Sequence, residues 1–293
     1  IDIGEYKMNN YSYITVLSTE KYLKGALALA ESLKQVKAKY PFTILITCDI
    51  SKEDEDKIKS HDMQIIKKSN IKLPETIKTK NDKGNFSHWT NTFDKLLLFE
   101  LTEFEKLVYL DSDMYVRQNI DELFEKKHLS ATIDRRYGPS VSKEWTKLTS
   151  GLMVIEPKQN VLPNFYEIIN KIIDKKDSIG DQDILQEYDK TWDIKEELHL
   201  DVGYNLFFPH IDYYITYNNY KLEDIKVVHF IYTNKPSFIK KEQMEEYMSY
   251  VNKIKGDNYA KSGFQYQKDC ILCGDKYERI VLNEYFNILD KIN

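Results

Sequence analysis

The sequence is short of cysteine and arginine, and it has no long apolar run and no strong excess of either charge. Three cysteines in 293 residues are too few for a disulfide scaffold and suit a reducing compartment. No apolar stretch approaches the ~20 residues that a membrane helix needs; the longest are short pieces such as Gly151–Ile155. Residues Ile1–Asn10 lack the basic-then-apolar order of a secretory signal. Forty-two basic side chains against forty-seven acidic ones leave −5, so no global field recruits nucleic acid. There is no internal repeat and no Gly/Ser linker, and 42% apolar with 30% charged residues excludes disorder and collagen-like chains. Only four of the basic residues are Arg, a skew attributable to codon bias in the source rather than to any site. The expectation is a soluble, cytoplasmic, globular protein without a transmembrane segment, large enough for one large domain or two small ones.

What the chain does have is aromatic weight, with 22 Tyr and 13 Phe; these suit carbohydrate-binding walls but equally fill cores. Strand-like and helix-like patterns alternate over the first 135 residues. Tyr11–Leu17 reads as a strand, and Ser18 or Thr19 could cap a helix running from about Glu20 to Gln35. Phe42–Cys48 is the next strand, Lys52–Ser60 a polar surface helix and Met63–Ile66 a short strand. A loop to about Asn85, a helix from about Asn91 to Leu101 and a fourth strand at Lys106–Leu110 follow. This alternation predicts an α/β fold with a mostly parallel sheet and helices on both faces. Further on, Ala131–Asp134 and Gly151–Ile155 read as strands, Val161–Lys175 and Gln182–Tyr188 as helices, and Ile225–Ile231 as a buried strand. The expected plan is a catalytic domain over 8–236 and a helical C-terminal extension over 237–293.

The sharpest local feature is Leu107-Val108-Tyr109-Leu110-Asp111-Ser112-Asp113, an apolar strand that ends in two carboxylates. Ligands of open parallel sheets bind beyond the carboxyl ends of the strands. Side chains two apart on an extended chain share a face, so Asp111 and Asp113 can reach one hard cation. The alternative is a solvated acidic turn or a cap for a helix at Asn119–Phe124. A second feature is His229 at the end of Lys226-Val227-Val228-His229-Phe230-Ile231, either a satisfied core histidine or a third metal ligand. Lys235, just before Pro236, could reach a phosphate. Gly180-Asp181-Gln182-Asp183 places two acids around an amide at a helix start, where acids also favour the helix dipole. Cys270 and Cys273 lack the further ligands of a zinc site and read as incidental thiols.

Taken together, these blocks resemble glycosyltransferase family 8, the retaining GT-A enzymes that include glycogenin and bacterial lipopolysaccharide hexosyltransferases. The resemblance covers about Tyr11 to Phe238. It is carried by Tyr22-Leu23-Lys24-Gly25-Ala26-Leu27, Asp111-Ser112-Asp113, Ser150-Gly151-Leu152, Asp181-Gln182-Asp183, Tyr204-Asn205, and Val228-His229-Phe230 with Lys235-Pro236. It implies a Rossmann-like GT-A domain and a UDP-glucose or UDP-galactose donor. It implies a saccharide or glycoconjugate acceptor and Mn²⁺ (or Mg²⁺) held by Asp111, Asp113 and His229. Val16, Ser18, Thr19 and Tyr22 would hold uracil and ribose, with Ser112 beside the ribose. Lys95 would lie near donor sugar and diphosphate, and Lys235 on the leaving diphosphate. Asp181 would bond the sugar hydroxyls, Gln182 would lie under the anomeric carbon, and Asp134 would face the acceptor.

Departures from the family pattern are Thr149-Ser150-Gly151, where Ser150 replaces an amide contact to the sugar, and Tyr232 in place of a phosphate-contacting glycine. In the 78–90 segment Lys80, Lys83 and His88 have no clear match. Alternatives to the transferase are a self-glycosylating primer using Tyr213, Tyr214, Tyr217 or Tyr220, a degenerate sugar-nucleotide binder, and a haloacid-dehalogenase-like phosphatase. The tail mixes Lys with Glu and Asp, so an anionic membrane surface would not attract it strongly. It is expected to pack on the catalytic domain or on a second copy in a homo-oligomer, with a peripheral place at the inner face of a membrane as the remaining option.

Overall fold

The computed structural model describes residues 10–133 and 146–292. β-Branched and aromatic residues make Tyr11–Leu17 an interior strand, β1, with Tyr13, Ile14 and Leu17 fully buried. The chain continues through α1 (Leu23–Gln35), β2 (Phe42–Ile46), α2 (Lys52–Ser60), β3 (Gln64–Lys67), α3 (Glu75–Lys83) and β4 (Lys106–Leu110). Next come β5 (Met114–Val116), β6 (Ala131–Ile133), β7 (Leu148–Ile155), α4 (Leu162–Ile172), α5 (Asp181–Tyr188), β8 (His199–Leu200) and β9 (Leu206–Phe207). Helix α6 (Ile211–Tyr217) and strand β10 (Val227–His229) precede three tail helices, α7 (Met244–Ser262), α8 (Gln265–Leu272) and α9 (Lys276–Ile292).

The main sheet has the order β3-β2-β1-β4-β7-β6-β8. Only β7 runs against its neighbours; the other pairs are parallel. Such strands are apolar on both faces because helices cover both. One face packs on α1 and α2 through Leu23, Leu27 and Ile58. The other packs on Phe93–Phe99, α4 and α5 through Leu96, Phe165 and Ile184. A second sheet, β5-β10-β9, pairs β10 antiparallel to β5 and parallel to β9. It shares a third core with α6 and the tail, built from Val228, Phe230, Tyr247, Val251 and Phe286. Helix α1 is buried on nearly every side because this third core, reached through Ala28, closes over the face turned away from the main sheet.

Three local expectations need correction. The first helix begins with a single 3₁₀ turn at Glu20–Tyr22, and Thr19 at its N-cap makes no side-chain capping bond; its Oγ1 accepts instead from Asn91 Nδ2 at 3.2 Å. The loop before Asn85 contains α3, whose Ile77 and Asn81 are buried in an otherwise polar helix too short to announce itself by periodicity. The stretch read as a helix from Asn91 is wound as 3₁₀ from Ser87 to Glu100, much longer than such runs usually are. Asp94 anchors it, accepting from the Ile71 N–H at 2.8 Å and from Thr47 Oγ1 at 2.6 Å.

Candidate active site

Strand β4 delivers Asp111 to the carboxyl edge of the sheet, where its N–H bonds Gly151 O on β7 at 2.9 Å. The chain turns through Ser112 and Asp113 into β5. Pairing of β5 with β10 sets Met114 opposite His229, and the Phe230 N–H donates to Asp113 O at 3.0 Å. Three side chains far apart in sequence therefore converge. His229 Nε2 lies 3.2 Å from Asp113 Oδ1 and 3.7 Å from Asp111 Oδ2, and one ligand atom from each of the three falls within 4.8 Å of the others. Two glycines permit this approach. A Cβ at Gly25 would stand 2.5 Å from Ser112 O, and one at Gly151 would stand 2.8 Å from His229 Cε1.

The tautomer of His229 follows from its neighbours. Thr149 Oγ1 donates to Thr132 O at 3.0 Å, and the two threonine hydroxyls share a 2.6 Å bond. Both hydroxyl protons are thus spent, so Thr132 and Thr149 can only accept from Asn205 Nδ2, at 3.3 and 3.2 Å. That fixes the Asn205 amide with Oδ1 toward His229 Nδ1, 3.0 Å away. Nδ1 carries the proton, and the lone pair of Nε2 points at the two carboxylates. This is how a metal-binding imidazole is oriented by its outer neighbours. With two carboxylate oxygens the set suits a divalent cation such as Mn²⁺ or Mg²⁺; the residues fit the group.

Two lysines pair with the acids. Lys95, 5% exposed, comes from the 3₁₀ stretch and places Nζ 3.2 Å from Asp111 Oδ1 and 3.1 Å from Asp181 Oδ2. Burial works against its charge, but Asp111 and Asp181 together hold the ammonium above its ordinary range. Lys235 Nζ lies 2.7 Å from Asp113 Oδ2 and 2.5 Å from Phe230 O. Burial, reinforced by Asp113, raises the Asp111 carboxyl even though Lys95 and His229 oppose it. Asp113 goes the other way: burial works to raise it, but Lys235 and His229 hold it well below the usual carboxylate range. Tyr109 donates a short hydrogen bond to Asp111. Asp181 opens α5, and the neighbouring Gln182 accepts from the Ser150 N–H at 3.2 Å.

The structure thus gathers Lys95, Asp111, Asp113, Ser150, Asp181, Gln182, His229 and Lys235 around one point. Val16, Ser18, Thr19 and Tyr22 lie at the end of β1 and the start of the following helix, with Ser112 in the turn between the metal acids. Tyr22 feels Asp113 and Asp111: burial first, then these charges, raise its phenol. Asp134 lies outside the described residues. Lys80 bonds Ile173 O and Lys176 O, at 2.5 and 2.9 Å, near the end of α4. Tyr232 turns its ring edge-on to Tyr250 of α7, centroids 6.2 Å apart.

The sequence did not reveal the role of Asn205, the Tyr109 bond or Trp89, whose ring lies against Gly180 at 3.6 Å from where a Cβ would stand. Asn205 was visible only as part of a two-residue block; nothing in the chain ties it to two threonines far away. A cavity of about 700 Å³ opens beside Lys95, Asp111, Ser150, Asp181 and Gln182.

The fold and the charged edge define an α/β site with a candidate cation-binding set at the strand ends, and comparison with known proteins gives its family. The chain belongs to glycosyltransferase family 8: the model described as glycosyl transferase family 8 matches residues 13–236. It is 30% identical over 247 residues to an uncharacterized protein of Acanthamoeba polyphaga mimivirus, covering 78% of this chain and 83% of that one. It is 29% identical over 242 residues to glycogenin-1 of Oryctolagus cuniculus, covering 78% of this chain and 66% of that one. Galactosyltransferase LgtC, solved in complex with donor and acceptor sugar analogs, has the same GT-A fold. Its TM-score is 0.55 and its identity 16%, over 77% of this chain and 88% of that one. The chain spans only 26% and 25% of the length of two plant xylan glucuronosyltransferases that it matches. The protein is a glycosyltransferase. Among the described residues no helix is long and apolar enough to cross a membrane.

Proposed function

We propose that the protein is a retaining, metal-dependent hexosyltransferase that moves glucose or galactose from a UDP-sugar to a saccharide or glycoconjugate, with 8–236 as its catalytic domain. The observation that carries this reading is the convergence of Asp111, Asp113 and the Asn205-oriented His229 at the carboxyl edge of the sheet, flanked by two buried lysines. When bound there, Mn²⁺ or Mg²⁺ supplies charge that stabilises the leaving diphosphate. Lys235, paired with Asp113 in the free protein, turns to a diphosphate oxygen. Lys95 lies between the metal acids and Asp181, where it orients donor sugar and phosphate.

In the transfer itself the bond from the anomeric carbon to the phosphate oxygen breaks, and a bond to the acceptor oxygen forms on the same face. The acceptor proton leaves on the departing phosphate oxygen. Retention through a covalent intermediate would need a free carboxylate nucleophile beside the anomeric carbon. Asp181 is held by Lys95 at 3.1 Å, which makes it a poor nucleophile. Asp181 and Gln182 therefore position the sugar and support its developing positive charge. Alanine at either should lower kcat far more than donor affinity, whereas a glycosyl adduct trapped on either would sink the front-face route.

The test of the whole reading is UDP release from a panel of UDP-sugars with and without Mn²⁺, with Asp113→Ala as control. Metal-dependent release from one UDP-hexose, lost in the variant, supports it. Binding of UDP without release from any donor would favour a degenerate binder. The self-glycosylating alternative gains no specific observation: Tyr213 and Tyr214 are buried in the third core, and Tyr220 donates to Asp201 at 2.8 Å. Intact mass after incubation with donor would reveal hexose added to the exposed Tyr217.

A further inference from the structure

The cavity beside the site extends well past the donor residues. None of Val16, Ser18, Thr19 and Tyr22 lines it, so its volume lies on the sugar side of the metal acids. Its far wall comes from the turn at Phe208–His210 and from α7 and α8, and those two helices lie beyond residue 236, where the family match ends. A file of rings joins the two ends: Phe207 stands edge-on to His229 at 5.6 Å, His210 lies 5.8 Å from Phe207, and Tyr266 lies 5.3 Å from His210.

Two polar side chains line this far end without a hydrogen-bond partner among the described residues: the imidazole of His210 and the amide of Asn258. Burial, with Lys255 adding, lowers His210 to about 3, so the ring is neutral and can both donate and accept. Lys255 also lines the cavity, but its ammonium is spent on Glu278, with bonds of 2.6 and 2.7 Å. The far end therefore offers aromatic faces and neutral hydrogen-bonding groups without an unpaired charge. A pyranose matches that combination, with apolar C–H faces and a rim of hydroxyls. Both groups are partly exposed to the cavity, so a ligand can reach them and take the place of water on each.

We infer that this far end is a second acceptor subsite, built largely by the tail, for a neutral sugar unit adjoining the one that receives the hexose. His210 and Asn258 bond its hydroxyls, and the partly exposed rings of Phe207 and His210 meet its apolar face. The acceptor is then a glycan of at least two units. This rests on the transferase reading above.

The test compares methyl glucoside and methyl galactoside with maltose, cellobiose and lactose as acceptors, using the donor identified by UDP release. At least one disaccharide should show a KM tenfold or more below that of the methyl glycoside of its non-reducing sugar. Asn258→Ala, on the partly exposed face of α7, and His210→Ala should erase that advantage through KM rather than kcat, with donor KM unmoved. A panel in which no disaccharide outperforms its monosaccharide, or variants that keep the preference, overturns the inference. Absence of metal-dependent UDP release from every UDP-sugar is a different result: the transferase reading itself fails, and the subsite falls with it.

Discussion

Two clusters among the described residues bury several charges each, and they do so in opposite ways. In the tail Lys255 and Glu278, 4% and 0% exposed, pair one to one with both carboxylate oxygens engaged. Asp212 beneath them accepts from the N–H groups of Tyr277 and Glu278 at the start of α9. At the sheet edge three carboxylates, Asp111, Asp113 and Asp181, share two ammonium groups. There the lone pair of His229 also points at two of the acids. Every carboxylate oxygen of the tail cluster has a donor without a ligand; at the sheet edge Asp111 Oδ2 and Asp113 Oδ1 face the lone pair of His229. Buried ionic groups whose acceptors are all filled serve the fold, and acceptors held facing one another by backbone and glycine contacts suit a cation.

The strongest way to break this comparison is to remove charge from each region and read both activity and stability. Asp111→Asn should abolish metal-dependent UDP release. The metal-free variant should melt no lower than the wild type, because burial and Asp113 already disfavour the Asp111 charge and an amide oxygen can still accept from Tyr109. In the tail the stability effect comes first. Lys255→Met should cost about 3–5 kcal/mol in denaturant unfolding, because Glu278, which burial already pushes up to about 8, loses both its donors and must take up a proton. Lys255→Met with Glu278→Leu should recover most of it. A large loss at Asp111, or none at Lys255, would erase the distinction.

A smaller effect sharpens the sheet-edge half. Asn205 touches no reacting atom; it holds the His229 tautomer. Asn205→Ala should weaken Mn²⁺ activation about 10–100-fold, the range usual for outer partners of metal ligands. Excess Mn²⁺ should restore kcat, and Asn205→Asp, which can still accept from Nδ1, should fall between. Loss of kcat that no metal concentration restores would mean that Asn205 acts on the fold and not on the ligand.

The sequence conveyed the sheet edge better than the tail, for a physical reason. Strand β4 is a continuous apolar run ending in Asp-x-Asp, and the parallel-sheet rule says where such a strand end points. Local periodicity was enough for β1, α2 and α5. It was not enough for α3, where two buried residues hide among charges, or for the 3₁₀ winding from Ser87 to Glu100, which Asp94 sets through contacts with Thr47 and Ile71. The contribution of the tail was out of reach. Asn258 and Lys255 sit among polar residues of α7, and only the packing of α7 and α8 into the third core turns them toward the cavity. The position of Asn205 against Thr132 and Thr149 likewise depends on which strands become neighbours.

His128 offers the smallest test, from outside both clusters. It precedes β6; its Nδ1 accepts from the Glu156 N–H at 3.0 Å, and its ring meets Phe99 edge-on at 5.7 Å. Burial, with Lys158 adding, lowers it from 6.5 to about 4. Between those values the unfolded chain binds a proton that the native protein refuses, so stability rises with pH there. The contribution is present in full above pH 6.5 and drains away as the pH falls toward 4. His128→Gln, which keeps an acceptor for Glu156, should lose less melting temperature across that window than the wild type, by a few degrees at most. Equal slopes would show that another group titrates. The difference in slope should also be the same with and without Mn²⁺. A group remote from the sheet edge answers to protons alone, whereas the sheet-edge carboxylates should answer to the metal as well.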